Sequence, residues 1–360
     1  MKEFDCSTRI VSGTGAVAAL KEFGARRLFL VTDPFFAKNG MAQQVAAASG
    51  AGEVEIFDRV EPDPSVALAA EGTVRVKAFR PDVIAALGGG SAMDCAKAMA
   101  YFSGTDARLA AIPTTSGSGS EVTDFAILTH NRVKHPLVDR RLRPELAILD
   151  DSFLQELPPA LVADGGFDVL CHALEAYTAK NASAVTDALA RDAFCTAFAA
   201  LPASFAGRQA VRLQIHNAST LAGMAFTQAG LGLCHAMAHS LGGAFHVPHG
   251  RLNAILLPAV IGCNAMAAAG KYARLSRAAG LGGSADTVAV HNLKNGLIRL
   301  RREMRLPATL AEAGIPPRQI WREMDSLVKA TLEDPCCRTN PVKVEDFMVR
   351  KLLEEVTGRG

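Results

Sequence analysis

A change of pattern near residue 150 restricts the possible folds of this chain more than any other feature. Before that point, short apolar runs end in turn residues and alternate with helix-like segments. Val83–Leu87 is closed by three glycines, and Leu109–Ile112 is closed by Pro113. Strands of this length between helical segments predict βαβ units and a parallel, Rossmann-like sheet. The predicted strands are Leu28–Thr32, Val54–Phe57, Val83–Leu87, Leu109–Ile112 and Glu145–Leu149, with a hairpin of Phe125–Thr129 and Pro136–Val138 around Asn131-Arg132.

The second half of the chain has a different pattern. Beyond Leu157-Pro158-Pro159 the β-branched runs stop, and long Ala/Leu-rich periodic segments take over. This pattern predicts an all-helical region, with helix termini at Pro158-Pro159, Pro202 and Gly207. The sequence therefore predicts an α/β domain over residues 1–155 and an all-α domain over residues 156–360. A length of 360 residues agrees with two domains.

Composition excludes several classes of protein. Apolar residues make up 49% of the chain and the formal net charge is +2, which excludes a disordered chain and argues against nucleic-acid binding. The N-terminal residues have no apolar stretch typical of a signal peptide. The eight cysteines form no CxxC pair, as expected for reduced thiols of a cytosolic protein.

Residues 213–250 lack Asp, Glu, Lys and Arg but contain five of the nine histidines. A buried polar site fits this stretch better than a membrane helix does.

Two loops rich in small residues point to a nucleotide. Gly88-Gly89-Gly90-Ser91 lies between a predicted strand and a predicted helix, and residues 113–121 follow the next strand. Glycines permit close backbone approach, and a helix N-terminus attracts phosphate. Each loop alone is equally well explained as a tight turn. Asp33 follows the first predicted strand, and two roles are open for it. Its carboxylate either accepts hydrogen bonds from an adenosine ribose, which favours NAD over NADP, or caps a turn or helix.

Histidines and a carboxylate at helical spacing point to a metal. Asp168 and His172 lie four residues apart, as do His235 and His239, and His249 follows shortly after. Residues i and i+4 share one face of a helix. The absence of a Glu directly after His235 argues against a metalloprotease. Any single histidine is more often a core residue than a ligand, but several at this spacing, with a carboxylate, favour a metal site. Three neutral imidazoles with one carboxylate suit Fe(II) or Zn(II). His130, His135, His216 and His291 are interpreted as structural.

At these residues the sequence resembles the iron-containing (group III) alcohol dehydrogenase family, from about Thr8 to Val344. The matching stretches are Gly88–Ser91 with Asp94 and Lys97, residues 113–123, Asp168 through Glu175-Ala176-Tyr177, and His235 through Gly250. Within this family, residues 216–226 and Arg338-Thr339-Asn340-Pro341 are most similar to the propanol dehydrogenases of bacterial microcompartments.

The resemblance implies roles for individual positions. Asp168, His172, His235 and His249 match the family's metal ligands, usually iron and sometimes zinc. His239 matches a residue beside the metal that helps to move a proton. The positions that match cofactor contacts are Asp33, Gly89, Gly90, Ser91, Asp94, Thr114, Thr115, Ser118 and Lys134. The implied architecture, shared with dehydroquinate synthase, is an NAD-binding α/β domain followed by a helical metal-binding domain, with the reaction between them. Family members form dimers or larger oligomers.

Three positions depart from the family pattern. Cys171 stands where Thr is usual, and Phe167 stands where Met is common; neither change is expected to disturb metal binding. Arg251 stands where the family has an apolar residue. If this side chain reaches the reaction site, the substrate carries an anionic group.

The expected function is therefore reversible hydride transfer between NAD(H) and a small primary alcohol or aldehyde, in the cytoplasm or inside a microcompartment. The alternatives are a reductase of a diol, hydroxy acid or other anionic substrate through Arg251, a dehydroquinate-synthase-like lyase, and a non-enzymatic shell or scaffold component. The lyase needs several basic groups around an acidic substrate, and the helical half offers few of them near its histidines.

Overall fold

The apolar runs of the first half form one six-stranded parallel sheet in the computed structural model, which describes residues 2–130 and 133–358. The strand order is β1-β8-β5-β4-β2-β3, and all five pairings are parallel. The bounds of these strands are Arg9–Ser12 (β1), Arg27–Thr32 (β2), Glu53–Phe57 (β3), Val83–Gly88 (β4), Arg108–Pro113 (β5) and Leu146–Leu149 (β8). The α/β fold class with a parallel sheet is thus confirmed.

Strand β1 was not expected from the sequence. It pairs with β8 at the edge of the sheet, and its residues are mostly exposed. An exposed edge strand needs no continuous apolar run, so the pattern that identified the buried strands does not detect it. Phe125–His130 (β6) and Val133–Val138 (β7) form the expected antiparallel hairpin. The predicted turn residues Asn131 and Arg132 lie outside the described residues.

Side chains of the sheet alternate between two apolar cores. In β2, Leu28 and Leu30 belong to one buried cluster, whereas Phe29 and Val31 belong to the other. A parallel sheet buried on both faces needs apolar residues at every position, which explains the continuous runs. The helices of this half are Ala19–Glu22 (α1), Pro34–Lys38 (α2), Met41–Ser49 (α3), Val66–Phe79 (α4) and Gly90–Ser103 (α5).

The second half is helical throughout the described residues. Its helices are Pro159–Thr178 (α6), Ala184–Phe205 (α7), Arg212–Ala229 (α8), Leu233–Phe245 (α9), His249–Ala278 (α10), Asp286–Glu303 (α11), Pro317–Glu333 (α12) and Asp346–Thr357 (α13). A helix begins at Pro159 as predicted, but the terminus predicted at Pro202 is wrong. Pro202 lies inside the last turn of α7. Proline at this position removes one backbone hydrogen bond, and the helix nevertheless continues to Phe205.

The described residues divide into two compact units. One comprises residues 5–157 and contains the sheet; the other comprises residues 2–4 and 158–358 and contains α6–α13. Residues 2–4 join the helical unit, where Lys2 Nζ donates to the carbonyls of Lys180 and Ala182.

Helix α10 is long and apolar enough to cross a membrane by length and composition. Two thirds of its most apolar window, 67%, is buried inside the fold, and the core helix of a soluble protein passes the same test. The other described helices do not pass it.

Candidate metal centre and nucleotide loops

Three helices of the helical unit bring the predicted metal ligands together. Asp168 and His172 lie one turn apart on α6, His235 lies near the start of α9, and His249 is the first residue of α10. Gly250 allows α10 to approach α6 closely, because a Cβ on Gly250 would lie 1.9 Å from the carbonyl oxygen of Asp164. The close crossing of α6 and α10 therefore depends on a glycine beside a predicted ligand.

One carboxylate oxygen lies close to a nitrogen of each of the three predicted histidine ligands. Asp168 Oδ1 is 3.8 Å from His172 Nδ1, 3.7 Å from His235 Nε2 and 3.6 Å from His249 Nε2. These separations exceed hydrogen-bond length. Two ligand atoms that each lie about 2.1 Å from a tetrahedral cation are roughly 3.4 Å apart. The observed distances are close to this value.

The donor set fits a divalent transition metal. The donor atoms of Asp168, His235 and His249 all lie within 4.8 Å of one another. His172 joins this group through Asp168, and its ring stacks on that of His235 with centroids 4.4 Å apart. Imidazole nitrogens and a carboxylate are ligands typical of iron and zinc. The four residues of the sequence prediction are thus held in one cluster.

The electrostatics of this cluster favour a bound cation. Burial opposes the ionised form of Asp168, but the surrounding histidines His172, His249 and His235 hold its pKa far below the usual value. Burial lowers the pKa of His249, and the neighbouring histidines add to this effect, whereas the charge of Asp168 opposes it. At His235, burial lowers the pKa, but the neighbouring carboxylates of Asp168 and Glu175 outweigh burial and raise this pKa to about 9. An ionised carboxylate among buried imidazoles draws positive charge into the site.

Two residues without a role in the sequence prediction support the ligands. Glu175 Oε2 lies 2.7 Å from His235 Nδ1, and Asn253 Nδ2 donates to Asp168 Oδ1 at 2.8 Å. Both side chains are buried. A sequence signal for each existed, since Glu175 lies two turns after Asp168 on α6 and Asn253 lies one turn after His249 on α10.

His239, predicted to take part in catalysis, lies beside the cluster. Its ring stacks on that of His249 with centroids 5.1 Å apart, and its Nδ1 is 2.8 Å from Asp334 Oδ2. Burial would raise the pKa of Asp334, but the hydrogen bond with His239 and the one donated by the Cys336 N–H hold it below its usual value. Asp334, which follows α12, was not identified from the sequence.

The charge of Arg251 is balanced inside the helical unit. Its guanidinium donates to both carboxylate oxygens of Asp164, at 3.2 and 3.0 Å. Asp164 lies one turn before Asp168 on α6, and its side chain is only 9% exposed. Burial raises the pKa of Asp164, and the bond with Arg251 opposes this.

The two small-residue loops lie against each other in the sheet-containing unit. The Thr114 N–H donates to the Gly88 carbonyl at 3.0 Å. A Cβ on Gly89 would lie 3.1 Å from Thr115 Oγ1, and a Cβ on Gly90 would lie 3.3 Å from Ser118 Cβ. The contact between the loops thus requires small residues, as the sequence suggested for a ligand crevice.

The structure of these loops suits an anionic ligand. Helix α5 begins at Gly90 with no side-chain cap among the described residues, and Ser91 follows in its first turn. Thr114 Oγ1 is buried without a hydrogen-bond partner among the described residues. Free N–H groups and an unpaired hydroxyl are what a dinucleotide phosphate or ribose binds. These predicted contacts therefore fit the cofactor.

Three further predicted cofactor residues have other partners. Asp33 Oδ1 caps α2 by accepting from the N–H groups of Phe35 and Phe36, which is the structural interpretation weighed for it. Lys134 forms an ion pair with Asp63 at 2.7 Å. Asp94 accepts from Ser120 Oγ at 3.2 Å. Burial raises the pKa of Asp94 to about 6, although the Lys97 charge opposes this rise.

Lys97 binds the end of the second small-residue loop, residues 113–121, and the segment that follows it. Its ammonium is buried and donates to the side chains of Ser120 and Thr123 and to the carbonyls of Thr123 and Phe125, at 2.8 to 3.0 Å. Burial lowers its pKa to about 8, and the carboxylates of Asp94 and Glu121 partly offset this. One buried ammonium thereby connects α5 to the segment that follows the loop.

Comparison with known proteins agrees with this site. A family model described as iron-containing alcohol dehydrogenase matches residues 7–151, and one described as the C-terminal part of the Fe-containing alcohol dehydrogenase family matches residues 162–357. The chain is 41% identical to the 1-propanol dehydrogenase PduQ of Citrobacter freundii, covering 99% of this chain and 100% of that protein. It is 35% identical to the NADPH-dependent butanol dehydrogenase of Clostridium saccharobutylicum, covering 98% and 97%.

A solved structure extends the likeness to three dimensions. Sulfoacetaldehyde reductase from Bifidobacterium kashiwanohense, in complex with NAD+, superposes with a TM-score of 0.91 at 26% identity and covers 100% of both chains. Family models match both halves of the sequence, and relatives above 30% identity span nearly its whole length. The chain therefore belongs to the iron-containing alcohol dehydrogenase family.

Proposed function

We propose that this protein reduces small, uncharged aldehydes to primary alcohols with NADH, and catalyses the reverse oxidation, at a divalent metal held by Asp168, His172, His235 and His249. The observation that carries the proposal is the position of Asp168 Oδ1, 3.6 to 3.8 Å from three imidazole nitrogens. These four residues would hold Fe(II) or Zn(II), which would supply Lewis-acid chemistry at the substrate oxygen, and bound NAD(H) would supply the hydride chemistry.

The chain's own residues orient the metal ligands and handle the proton. Asn253 fixes the carboxylate of Asp168, and Glu175 fixes the imidazole of His235. His239, whose Nδ1 is paired with Asp334, is the proposed carrier of the proton that leaves the alcohol or reaches the alkoxide. Its side chain is 25% exposed, which allows exchange of that proton with solvent.

The cofactor is proposed to lie on the sheet-containing unit. Gly89, Gly90 and Ser91, at the start of α5, supply N–H groups for the phosphates, and Thr114, Thr115 and Ser118 line the neighbouring loop. Lys134 and Asp94 are proposed as further contacts. Asp33 follows β2, where a carboxylate disfavours the 2′-phosphate of NADP, so NAD is the proposed cofactor. Its Oδ2 faces the glycine loop, 3.9 Å from a Cβ built on Gly88.

The alternatives receive less support from the helical unit. An anionic substrate requires a cationic side chain that is available, and the guanidinium of Arg251 is bound to Asp164 through two hydrogen bonds. A lyase of acidic substrates needs several such groups. A scaffold role explains neither the ligand cluster nor the buried, unpaired Thr114 Oγ1.

The cellular setting is a further part of the proposal. Similarity to the 1-propanol dehydrogenase PduQ supports propanal or acetaldehyde as substrate and an association with the enzymes of a bacterial microcompartment in the cytoplasm. We also propose a homo-oligomer, a dimer or larger. Light scattering of the purified protein measures this state directly.

The test is metal removal followed by reconstitution. Protein purified without oxygen is treated with a chelator, and NADH-dependent reduction of propanal and acetaldehyde is measured before and after addition of Fe(II) or Zn(II). Loss of activity that metal restores supports the proposal. Full activity in metal-free protein would falsify it.

A further inference from the structure

The carboxylate of Glu175 lies between the start of one helix and a predicted metal ligand. Glu175 is on α6, is only 3% exposed, and reaches the N-terminus of α9. It accepts hydrogen bonds from the N–H groups of Gly232 at 2.9 Å, Cys234 at 2.7 Å and His235 at 3.4 Å. The same carboxylate lies 2.7 Å from His235 Nδ1.

These contacts determine which nitrogen of His235 carries a proton. The oxygens of Glu175 act as acceptors towards three backbone N–H groups, so we take Nδ1 of His235 as a fourth donor to this carboxylate. Nε2, which lies 3.7 Å from Asp168 Oδ1, is then the nitrogen that faces the ligand cluster and would bind a metal. A metal-binding histidine commonly has its second nitrogen fixed in this way.

We propose that Glu175 is a positioning residue that holds His235 in the Nδ1–H form with Nε2 towards the metal. The inference rests on the metal site of the proposed function. Three backbone N–H groups hold the carboxylate itself, and the helix N-terminus stabilises its negative charge. One side chain thereby fixes both the start of α9 and the ring of the ligand that α9 carries.

The helix start packs closely against the carboxylate of Glu175. A Cβ on Gly232 would lie 2.7 Å from Glu175 Oε1. A neighbouring side chain, Asn340, contacts the same helix start but none of the predicted ligand side chains in the described hydrogen bonds. Its Oδ1 accepts from the Leu233 N–H at 3.1 Å and from Asn264 Nδ2 at 2.9 Å, and its Nδ2 donates to Asn264 Oδ1 and to the Val342 carbonyl. Asn340 is therefore a control for loss of hydrogen bonds at this helix start.

The experiment compares wild type, E175Q and N340A by metal affinity and by the protonation of His235. Affinity for Zn(II) is measured by competition with a chromophoric chelator. Long-range proton–nitrogen NMR spectra of zinc-loaded protein, labelled with nitrogen-15 in its nine histidines, show which nitrogen of His235 binds zinc and which carries a proton. The H235Q spectrum assigns the signals.

The expected result is a protonated Nδ1 and a zinc-bound Nε2 in wild type. E175Q, which keeps the size of the side chain but no longer requires Nδ1 to donate, should lower zinc affinity by about 10- to 100-fold and shift or broaden the Nδ1 proton signal. N340A should change zinc affinity by less than about threefold, although it weakens the same helix start.

Two outcomes overturn the inference. One is a wild-type spectrum in which Nδ1 of His235 binds zinc or lacks a proton, a result that does not depend on whether E175Q folds. The other is equal loss of zinc affinity in E175Q and N340A, which reduces Glu175 to a helix cap. If wild type binds zinc as expected but does not reduce aldehydes, the proposed function fails while the role of Glu175 stands.

Discussion

At the scale of single residues, charged groups around the candidate metal centre occur in pairs. Arg251 binds Asp164, His239 binds Asp334, and His235 binds Glu175. The pairs of Arg251 and His235 each join two helices, and the pair of His239 joins α9 to the segment after α12. These pairs leave Asp168 as the carboxylate at the centre of the cluster, so its charge is available to a cation.

The Asp164–Arg251 pair predicts a coupling that a double-mutant cycle measures. D164N and R251M should each lower the free energy of unfolding by about 1–3 kcal/mol, because each leaves a partner in the pair without its opposite charge. The double variant should lose less than the sum, by about 1 kcal/mol, since Arg251 is 30% exposed and partly screened. Additive losses contradict the pairing.

The same variants distinguish the substrate classes. If Arg251 serves only Asp164, R251M should change kcat/KM for propanal and for glyoxylate by the same factor. A larger loss of kcat/KM for glyoxylate than for propanal would instead support the hypothesis that Arg251 binds an anionic substrate. Steady-state kinetics with both aldehydes provides the comparison.

Asp94 predicts a pH dependence of local stability. Burial raises its folded-state pKa from 3.8 to about 6, so the folded state binds its proton more tightly than the unfolded state does. The stabilisation is complete below pH 3.8 and is lost as pH rises through 6. Relative to D94N, the unfolding free energy of the wild type should therefore fall by on the order of 3 kcal/mol between pH 4 and pH 7. A pH-independent difference contradicts this assignment.

The measurement must report on the unit that contains Asp94. The single tryptophan, Trp321, lies on α12 in the other unit. Hydrogen exchange of peptides from α5, compared between wild type and D94N at matched intrinsic exchange rates, follows the correct region.

Sequence reasoning at this scale identified residues through short spacings. Asp168 and His172, one turn apart, were identified because a helix face repeats every three to four residues. Asp334 was missed because its partner His239 is 95 residues away, and no local pattern links them. Glu175 and Asn253 also lie at helical spacing from predicted ligands. This spacing alone does not identify them, because acidic and amide side chains have many structural roles on helices.

At the scale of secondary-structure elements, the crossing of α6 and α10 depends on Gly250. In G250A the new Cβ would lie 1.9 Å from a backbone oxygen of α6, which no side-chain rotation relieves. We expect a loss of about 2–3 kcal/mol in unfolding free energy and weaker metal binding, since His249 precedes this residue. Denaturant unfolding followed by Trp321 fluorescence and zinc competition measure both effects.

Gly262, on the same helix, is the matched control. A Cβ there would lie 3.7 Å from the flexible Lys294 Nζ, which is ordinary contact distance. G262A should therefore leave metal affinity unchanged and stabilise α10 by up to about 1 kcal/mol through helix propensity. Equal effects of the two substitutions contradict a special role for the helix crossing.

Element prediction depended on apolar runs and turn residues, and it failed where these signals were absent or ambiguous. The strands β2, β4 and β5 were located within one residue because their apolar runs are buried on both faces. The exposed edge strand β1 has no such run. Pro202 was interpreted as a helix end, but proline ends a helix only where the lost hydrogen bond and ring clash are not tolerated by the surrounding packing.

At the scale of the whole molecule, the predicted binding groups divide between the two units. The cofactor residues Asp33 through Lys134 lie within residues 5–157, and the predicted metal ligands lie within residues 158–358. The sequence predicts a division of this kind because its apolar pattern changes near residue 150. It offered no means of deciding how the two sets of groups act together, since no local pattern spans both.

This division predicts that cofactor binding survives loss of the metal. D168N replaces the carboxylate at the centre of the cluster with a neutral amide, and zinc affinity should fall at least about 100-fold. NADH binding, followed by fluorescence, should stay within about twofold of wild type because its predicted contacts lie in the other unit. Aldehyde reduction should be lost with the metal. H291A, which alters an exposed histidine on α11 paired with Asn295, should change none of the three. If D168N instead loses NADH affinity together with zinc, the two sets of residues are coupled before any substrate binds, and the assignment of one function to each unit is wrong.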